Sequence, residues 1–133
     1  MKRILVIDDD SAVLDVLEEI LKYDNYHVRA LSKTKDIFAD IDDCKPDVIL
    51  LDYLLLGVNG GELCRDIKRN PHTRHIPVII TSAYPRASSF LKEYGYDAFI
   101  EKPFDLDSLL ATIREHVDTT FSSTSATLVR NDH

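Results

Sequence analysis

Residues 3–21, RILVIDDDSAVLDVLEEIL, contain the pattern that decides the fold. The continuous apolar run at residues 4–7 is typical of a strand that is buried on both faces of a parallel sheet. Three aspartates follow, and apolar residues then recur along one face of a helix: Val13, Leu14, Leu17, Ile20 and Leu21. The segment therefore predicts a buried strand, an acidic turn and an amphipathic helix.

The same alternation continues along the chain. Further apolar runs occupy residues 26–31, 48–51, 78–80 and 98–100. The segments between and after them predict helices at about 33–41, 60–69, 86–94 and 106–117, the last with Asp105 as its N-cap. Alternating strands and helices favour right-handed crossovers and a doubly wound α/β fold. We therefore predict a five-stranded parallel sheet of order 2-1-3-4-5 with helices on both faces.

Length and composition indicate one domain. The chain has 133 residues, of which 44% are hydrophobic and 29% charged, and its net charge is −7. We assign residues 1–117 to the domain and 118–133 to a disordered tail or the start of a linker, because seven of the nine residues at 119–127 are Ser or Thr.

The same features exclude several classes of function. The acidic balance argues against direct nucleic acid binding by this domain. No apolar stretch reaches the roughly 18 residues of a membrane span. Cys44 and Cys64 lack metal-ligand spacing, which predicts reduced thiols and a cytoplasmic location.

Functional side chains follow the predicted strands at the points where the strands end. Asp8-Asp9-Asp10 follows the first strand, Asp52 the third and Lys102-Pro103 the fifth, while Ser82 closes the fourth. Functional groups of open α/β sheets collect beyond the carboxyl ends of the strands, so Asp8, Asp9 and Asp52 should converge. Converging carboxylates repel unless a cation lies among them, and an all-oxygen site suits Mg²⁺.

Each of these residues alone has a simpler interpretation. Acids before a helix often cap it, a single aspartate after a strand is commonly a turn residue, and Lys-Pro commonly forms a surface corner. Their joint placement at one edge of the sheet favours function. A nucleophilic Asp52, a divalent metal, the Lys102 ammonium and the Ser82 hydroxyl are together the groups that phosphoryl transfer to an aspartate needs.

Four segments resemble one known family: ILVIDDDSAVLDVLEEIL (4–21), PDVILLDYLLLGVNGGEL (46–63), IPVIITSA (76–83) and AFIEKPFDLDSLLATI (98–113). As a set and in this order they resemble the receiver domains of two-component response regulators, over roughly residues 3–117. The resemblance implies a flavodoxin-like fold. It also implies that Asp52 accepts a phosphoryl group from a phosphohistidine on a sensor histidine kinase or a phosphotransfer protein.

The resemblance assigns further roles. Asp8, Asp9, Asp52 and the backbone carbonyl of Leu54 would bind Mg²⁺, with Mn²⁺ as a substitute. Lys102 would contact the phosphoryl group, and the bond before Pro103 would be cis. Ser82 and Phe99 would be switch residues that remodel the face formed by helix 4, strand 5 and helix 5, through which a homodimer is also expected.

This chain departs from the family pattern around the pocket. Leu56 occupies a position where the family usually has proline, and Pro85 and a short interval before Lys102 predict a shortened fourth helix. Leu54 and Tyr84 occupy the positions at which the family tunes the hydrolysis rate. Neither side chain is suited to orienting water, so we expect phospho-Asp52 to hydrolyse slowly.

Two other classes of function compete with this one. A small Mg²⁺-dependent aspartyl-phosphate phosphatase or phosphotransferase would use Asp52 as a turnover nucleophile. The sequence offers no substrate-binding cap and no additional acid or base for that role, so we expect no enzyme beyond catalysis of the domain's own phosphorylation and dephosphorylation. A binding module with a vestigial pocket would not need the acids, Ser82 and Lys102.

Overall fold

The computed structural model describes residues 1–55, 57–84, 89 and 91–117. Its strands are β1 (Arg3–Ile7), β2 (His27–Leu31), β3 (Val48–Asp52), β4 (Leu54–Leu55), β5 (Val58–Asn59), β6 (Val78–Ser82) and β7 (Ala98–Glu101). Its helices are α1 (Ser11–Tyr23), α2 (Ile37–Cys44), α3 (Gly60–Arg69), a 3-10 turn (Lys92–Tyr94) and a C-terminal helix at residues 106–117.

Five strands form one parallel sheet of order β2-β1-β3-β6-β7. The short strands β4 and β5 pair with each other as an antiparallel hairpin outside that sheet. With the hairpin set aside, the sheet has the predicted order 2-1-3-4-5, so the predicted fold class is confirmed. The hairpin itself was not predicted, because two-residue strands leave no periodic signal.

Two apolar cores cover the two faces of the sheet. Side chains alternate across a strand, so Leu5 and Ile7 of β1 face one core while Ile4 and Val6 face the other. The first core packs against α2 and α3, and the second against α1 and the C-terminal helix. Every residue of β3 and β6 is buried, as the continuous apolar runs predict.

Capping residues set the helix boundaries. The side chains of Asp10, Asp36 and Asn59 accept hydrogen bonds from backbone N–H groups in the first turns of α1, α2 and α3. The prediction of a helix from about residue 33 was therefore wrong at its start. The Asp36 cap begins α2 at Ile37, and Lys45 ends it in a left-handed conformation with φ 50°.

Several predictions concern residues outside the described part of the chain. Within the helix predicted at 86–94, Ser89 and Leu91 are helical and Lys92–Tyr94 form the 3-10 turn, which ends at Gly95 with φ +81°. The remainder of that helix, Leu56, Pro85 and the predicted tail at 118–133 lie outside the described residues. Among the described helices, none is both long and apolar enough to cross a membrane.

Candidate functional site

Three carboxylates meet at the carboxyl edge of the sheet. Asp8 and Asp9 follow β1, Asp52 ends β3, and these two strands are neighbours in the sheet. One carboxylate oxygen from each of the three residues lies within 4.8 Å of the others. Asp8 is 2% exposed and Asp52 is 6% exposed, so water screens their charges poorly.

The third residue of the acidic triplet has a different task. The Asp10 carboxylate accepts hydrogen bonds from the backbone N–H groups of Ala12 and Val13 and thereby caps α1. Its own N–H donates to Asp8 Oδ1 at 2.9 Å. The backbone N–H of Asp8 donates to the carbonyl of Leu31 in the neighbouring strand β2 at 3.1 Å. The turn after β1 therefore directs Asp8 into the pocket and commits Asp10 to the helix.

Lys102 supplies a positive charge to this cluster. Its Nζ lies 2.7 Å from Asp8 Oδ2 and 3.5 Å from Asp52 Oδ1. Its backbone N–H donates to the carbonyl of Ser82 at 2.8 Å, which holds the end of β7 beside the end of β6. The Lys102–Pro103 peptide bond is cis.

The charges in the pocket shift one another. Burial, followed by the negative charge of Asp8, raises the pKa of Asp52 to about 6, although Lys102 pulls it in the opposite direction. Burial alone would lower the pKa of Lys102. The hydrogen bond to Asp8 and the negative charge of Asp52 outweigh that effect, so the net shift of the Lys102 pKa is upward. The lysine therefore stays charged, whereas the surroundings of Asp52 favour its protonated form over its charged form.

Ser82 lies at the end of β6, next to Thr81, which pairs with Asp52 across the strands. The side chain is 1% exposed, and its hydroxyl oxygen accepts a hydrogen bond from the backbone N–H of Tyr84 at 3.0 Å. The Ser82 hydroxyl can still donate its hydrogen to another group, because a serine hydroxyl can accept and donate hydrogen bonds at the same time. A residue that sequence alone leaves ambiguous is thus buried at the same edge as the acids.

The remaining predicted residues lie around this centre. Leu54 and Tyr84 are 53% and 50% exposed, and the Tyr84 ring meets the Tyr53 ring edge-on at 6.4 Å. Phe99 lies in β7 opposite Ile80 of β6 and is half-buried, with its ring 6.0 Å from the ring of Tyr96. Phe99 therefore packs against the core on one side and against a second aromatic ring.

The donor set fits a hard divalent cation. All three clustered groups are carboxylates, and oxygen ligands of this kind suit Mg²⁺, Mn²⁺ or Ca²⁺ better than zinc. The upward shift of the Asp52 pKa shows that burial and the neighbouring negative charge together exceed what Lys102 offsets. A cation at this point would relieve the excess.

Sequence reasoning missed the support behind Asp52. Gly60 and Gly61 open α3, and a Cβ atom on Gly60 would lie 2.0 Å from the carbonyl oxygen of Asp52. The available signal was the glycine pair itself. Two adjacent glycines at the start of a helix are unfavourable unless the backbone needs a close approach there.

The fold and the pocket define a doubly wound α/β domain with a carboxylate site at the carboxyl edge of its sheet. The chain belongs to the response regulator receiver domain family, whose family model matches residues 4–114. The predicted family is thereby confirmed, and so is the predicted receiver role. The alternative, a small aspartyl-phosphate enzyme, is not favoured by these relatives.

Individual relatives agree with this assignment. The chain is 35% identical to the phosphate regulon transcriptional regulatory protein PhoB of Pseudomonas aeruginosa over 115 residues, which cover 85% of this chain and 50% of that protein. The chain spans about half the length of the first curated relatives it matches.

Two solved structures extend the comparison. A CheY-like response regulator receiver domain protein from Methanospirillum hungatei is 30% identical with a TM-score of 0.83, and the match covers 92% of this chain and 98% of that one. The response regulator TrrA from Thermotoga maritima, in complex with Mg²⁺ and BeF, is 25% identical with a TM-score of 0.78, covering 87% and 99%.

Proposed function

We propose that Mg²⁺-dependent phosphorylation of Asp52, by a sensor histidine kinase or a phosphotransfer protein, switches this receiver domain between two states. One observation carries the proposal: a buried, repelled Asp52 carboxylate lies beside two further carboxylates and the Lys102 ammonium. Such a carboxylate is stabilised when a cation shares its negative charge, and a carboxylate held beside a metal site and an ammonium is a candidate nucleophile for forming an acyl phosphate.

Asp8, Asp9, Asp52 and the backbone carbonyl of Leu54 would bind the metal, with Mn²⁺ as a substitute for Mg²⁺. When bound, the ion would offset negative charge on the phosphoryl oxygens. The Mg²⁺ and BeF bound to TrrA are consistent with this choice of ion.

The chain's own residues carry out the rest of the transfer. An Asp52 carboxylate oxygen attacks phosphorus, the new O–P bond forms, and the P–N bond to the donor imidazole breaks. Lys102 pairs with Asp8 and lies close to Asp52 in the structure, and it would contact an oxygen of the transferred group. The Ser82 hydroxyl would donate a hydrogen bond to another. That bond would draw Ser82 inward, and Phe99 would change rotamer in response.

The surface beside the pocket supports a protein as the phosphodonor. Val16 and Leu106 are large exposed apolar residues. They border a groove of about 250 Å³ that is lined entirely by apolar residues: Ala12, Val13, Val16, Leu17, Phe104 and Leu106. Exposed apolar patches commonly mark protein–protein contact sites. The ring of Phe104 lies 6.0 Å from Lys102 Nζ, so this groove adjoins the site.

Several features of the whole protein belong to the same proposal. The receiver domain spans residues 1–117, and residues 118–133 form a tail or the start of a linker. The protein acts in the cytoplasm, binds no nucleic acid through this domain, and pairs with a second copy through the face of helix 4, strand 5 and helix 5. Beyond its own phosphorylation and dephosphorylation it catalyses no reaction.

Acetyl phosphate with Mg²⁺ tests the proposal directly. We expect one phosphoryl group per chain, measured by intact mass, and none on Asp52→Asn or in the presence of EDTA. Repeated turnover of other phosphoesters would instead indicate an enzyme. The absence of any modification or beryllofluoride binding would indicate a vestigial pocket.

A further inference from the structure

We propose that Tyr94 is a positioning residue for Asp52, because its ring packs on the first turn of α3 and that turn contacts the backbone at the end of β3. This inference rests on the proposed function. It concerns a side chain that packs on α3 and belongs neither to the acidic cluster nor to the switch pair Ser82 and Phe99.

The first contact joins α3 to Asp52. The backbone N–H of Gly60 donates to the carbonyl of Tyr53 at 2.7 Å. A Cβ atom on Gly60 would lie 2.0 Å from the Asp52 carbonyl oxygen and 2.9 Å from its carbonyl carbon. The helix backbone therefore touches the backbone of the acceptor, and the position of one fixes the position of the other.

The second contact joins α3 to Tyr94. A Cβ atom on Gly61 would lie 2.5 Å from Tyr94 Cε2 and 2.6 Å from Cδ2, so the ring lies directly on the helix backbone. One turn further along the helix, Cys64 Sγ donates a hydrogen bond to the Tyr94 carbonyl at 3.5 Å. The tyrosine is thus held against α3 through both its ring and its backbone.

The third contact joins the ring to Arg65, which lies one turn after Gly61 on the same helix. The Arg65 guanidinium lies 4.7 Å from the centre of the Tyr94 ring. It is also paired with Glu62 at 3.3 Å and with Glu93 at 3.8 Å. Arg65 Nε is buried without a hydrogen-bond partner among the described residues. The stacking contact and the two carboxylates therefore hold the guanidinium over the ring.

These contacts form a continuous clamp of Arg65, Tyr94, the Gly60–Gly61 turn and the Asp52–Tyr53 backbone. A methyl group at Gly60 would collide with the Asp52 backbone, and one at Gly61 would force the Tyr94 ring to shift. Removal of the ring would let the first turn of α3 move away from β3, and the Asp52 carboxylate would move with its backbone. Rates of group transfer are sensitive to displacements of about 1 Å, which can cost about a hundredfold.

A mutant cycle on Gly61 and Tyr94 tests the clamp. The rate of Asp52 phosphorylation by acetyl phosphate is measured at several Mg²⁺ concentrations for the wild type, Gly61→Ala, Tyr94→Ala, the double variant and Tyr94→Phe. We expect each alanine variant to lower the maximal rate by about tenfold or raise the half-saturating Mg²⁺ concentration to a similar extent. Tyr94→Phe keeps the ring and should behave as the wild type.

The double variant gives the decisive result. With Tyr94 already replaced by alanine, the methyl group that Gly61→Ala adds meets no ring. The third of its three nearest atoms is Asn59 Oδ1 at 3.0 Å, a contact that a shift of a few tenths of an ångström relieves. The double variant should therefore be about as slow as Tyr94→Ala alone. Asp66→Ala, an exposed position on the same helix, is the control for substitution in α3.

The alternative outcomes can be told apart. If the wild type is phosphorylated and all the variants match it, the clamp is refuted and the proposed function stands. Fully multiplicative losses in the double variant would also refute the clamp, because the two sites would then act separately. An unphosphorylated wild type refutes the proposed function. If Gly61→Ala is unfolded by circular dichroism, the comparison of Tyr94→Ala with Tyr94→Phe decides alone.

Discussion

The surroundings of the Asp52 side chain disfavour its negative charge in the metal-free domain. Its pKa in the folded chain is about 6, because of burial and then the charge of Asp8, against an ordinary value of 3.8. The folded state therefore binds the Asp52 proton more tightly than the unfolded state does. The stability that this proton gives is complete below about pH 4 and is lost as the pH rises through about 6.

Asp52→Asn should consequently stabilise the metal-free protein at neutral pH, and its advantage should shrink as the pH falls towards 4. The free energy of unfolding in urea with EDTA, measured at about pH 7.5 and about pH 4, gives the comparison. Asp15→Asn, an exposed acid on α1, is the control. An equal advantage at both pH values would contradict the charge explanation.

We expect the lifetime of phospho-Asp52 to depend on two side chains, those of Leu54 and Tyr84. Both are about half exposed, and Leu54 has no polar group that could orient water. We expect slow hydrolysis in Mg²⁺ buffer and an increase of about tenfold for Leu54→Asn. Leu54→Ala, which removes bulk without adding a polar group, should remain slow. A lifetime of seconds that Leu54→Asn leaves unchanged would refute the prediction.

Only some of the residues in and around the acidic site could be predicted from the sequence. Asp8, Asp9, Asp52 and Lys102 could be predicted because each lies at or just after the end of a strand, and parallel strands bring such positions to one edge. The contact of Tyr94 with Gly61 was not accessible. It joins the first turn of α3 to the 3-10 turn, and neither periodicity nor spacing in the sequence indicates that these two turns meet.

At the scale of elements, α2 depends on one capping residue. The Asp36 carboxylate accepts hydrogen bonds from the N–H groups of Phe38 and Ala39 at 3.0 and 3.2 Å. Asp36→Ala should lower the free energy of unfolding by about 1 kcal/mol, whereas Asp36→Asn should cost much less, since asparagine caps equally well. Urea unfolding measures both. Asp42→Ala, at an exposed position of the same helix, is the control, and an equal loss there would argue against capping.

Elements that carry a long apolar run or stripe were predicted well, whereas very short elements were not. The five sheet strands and α1 each carry an apolar run or stripe that is visible in the sequence, although β2 itself has no fully buried residue. The start of α2 was placed four residues early, because a polar cap carries less signal than an apolar stripe. The β4–β5 hairpin follows from the left-handed Gly57, with φ 72°, and from pairing of Leu55 with Val58. Such turns depend on few residues.

For the whole molecule, the sheet order could be predicted because right-handed crossovers leave few arrangements for five parallel strands. The same architecture makes metal binding a property of the entire fold, since the carboxylates come from two separate strands. Mg²⁺ should therefore stabilise the folded chain, by about 2.7 kcal/mol at a hundred times its dissociation constant.

Thermal unfolding across a Mg²⁺ titration measures this stabilisation. The midpoint should rise with concentration in the wild type and stay nearly flat in Asp9→Asn. Asp10→Asn is the matched control, because asparagine keeps the α1 cap and Asp10 lies outside the cluster. A rise of equal size in Asp9→Asn would mean that the ion binds elsewhere.

The end of the C-terminal helix is tied to the end of α1. Arg114 Nη2 donates to Asp24 Oδ1 at 3.0 Å, and Asp24 caps the C-terminal end of α1, a helix of 13 residues that begins just after the acidic turn. A helix of that length spans about 20 Å, so residue 117 leaves the domain near the opposite pole. The proposed phosphodonor would approach one pole, whereas residue 117 lies near the other. We therefore expect that a donor can reach Asp52 without meeting the point at which the chain continues from residue 117.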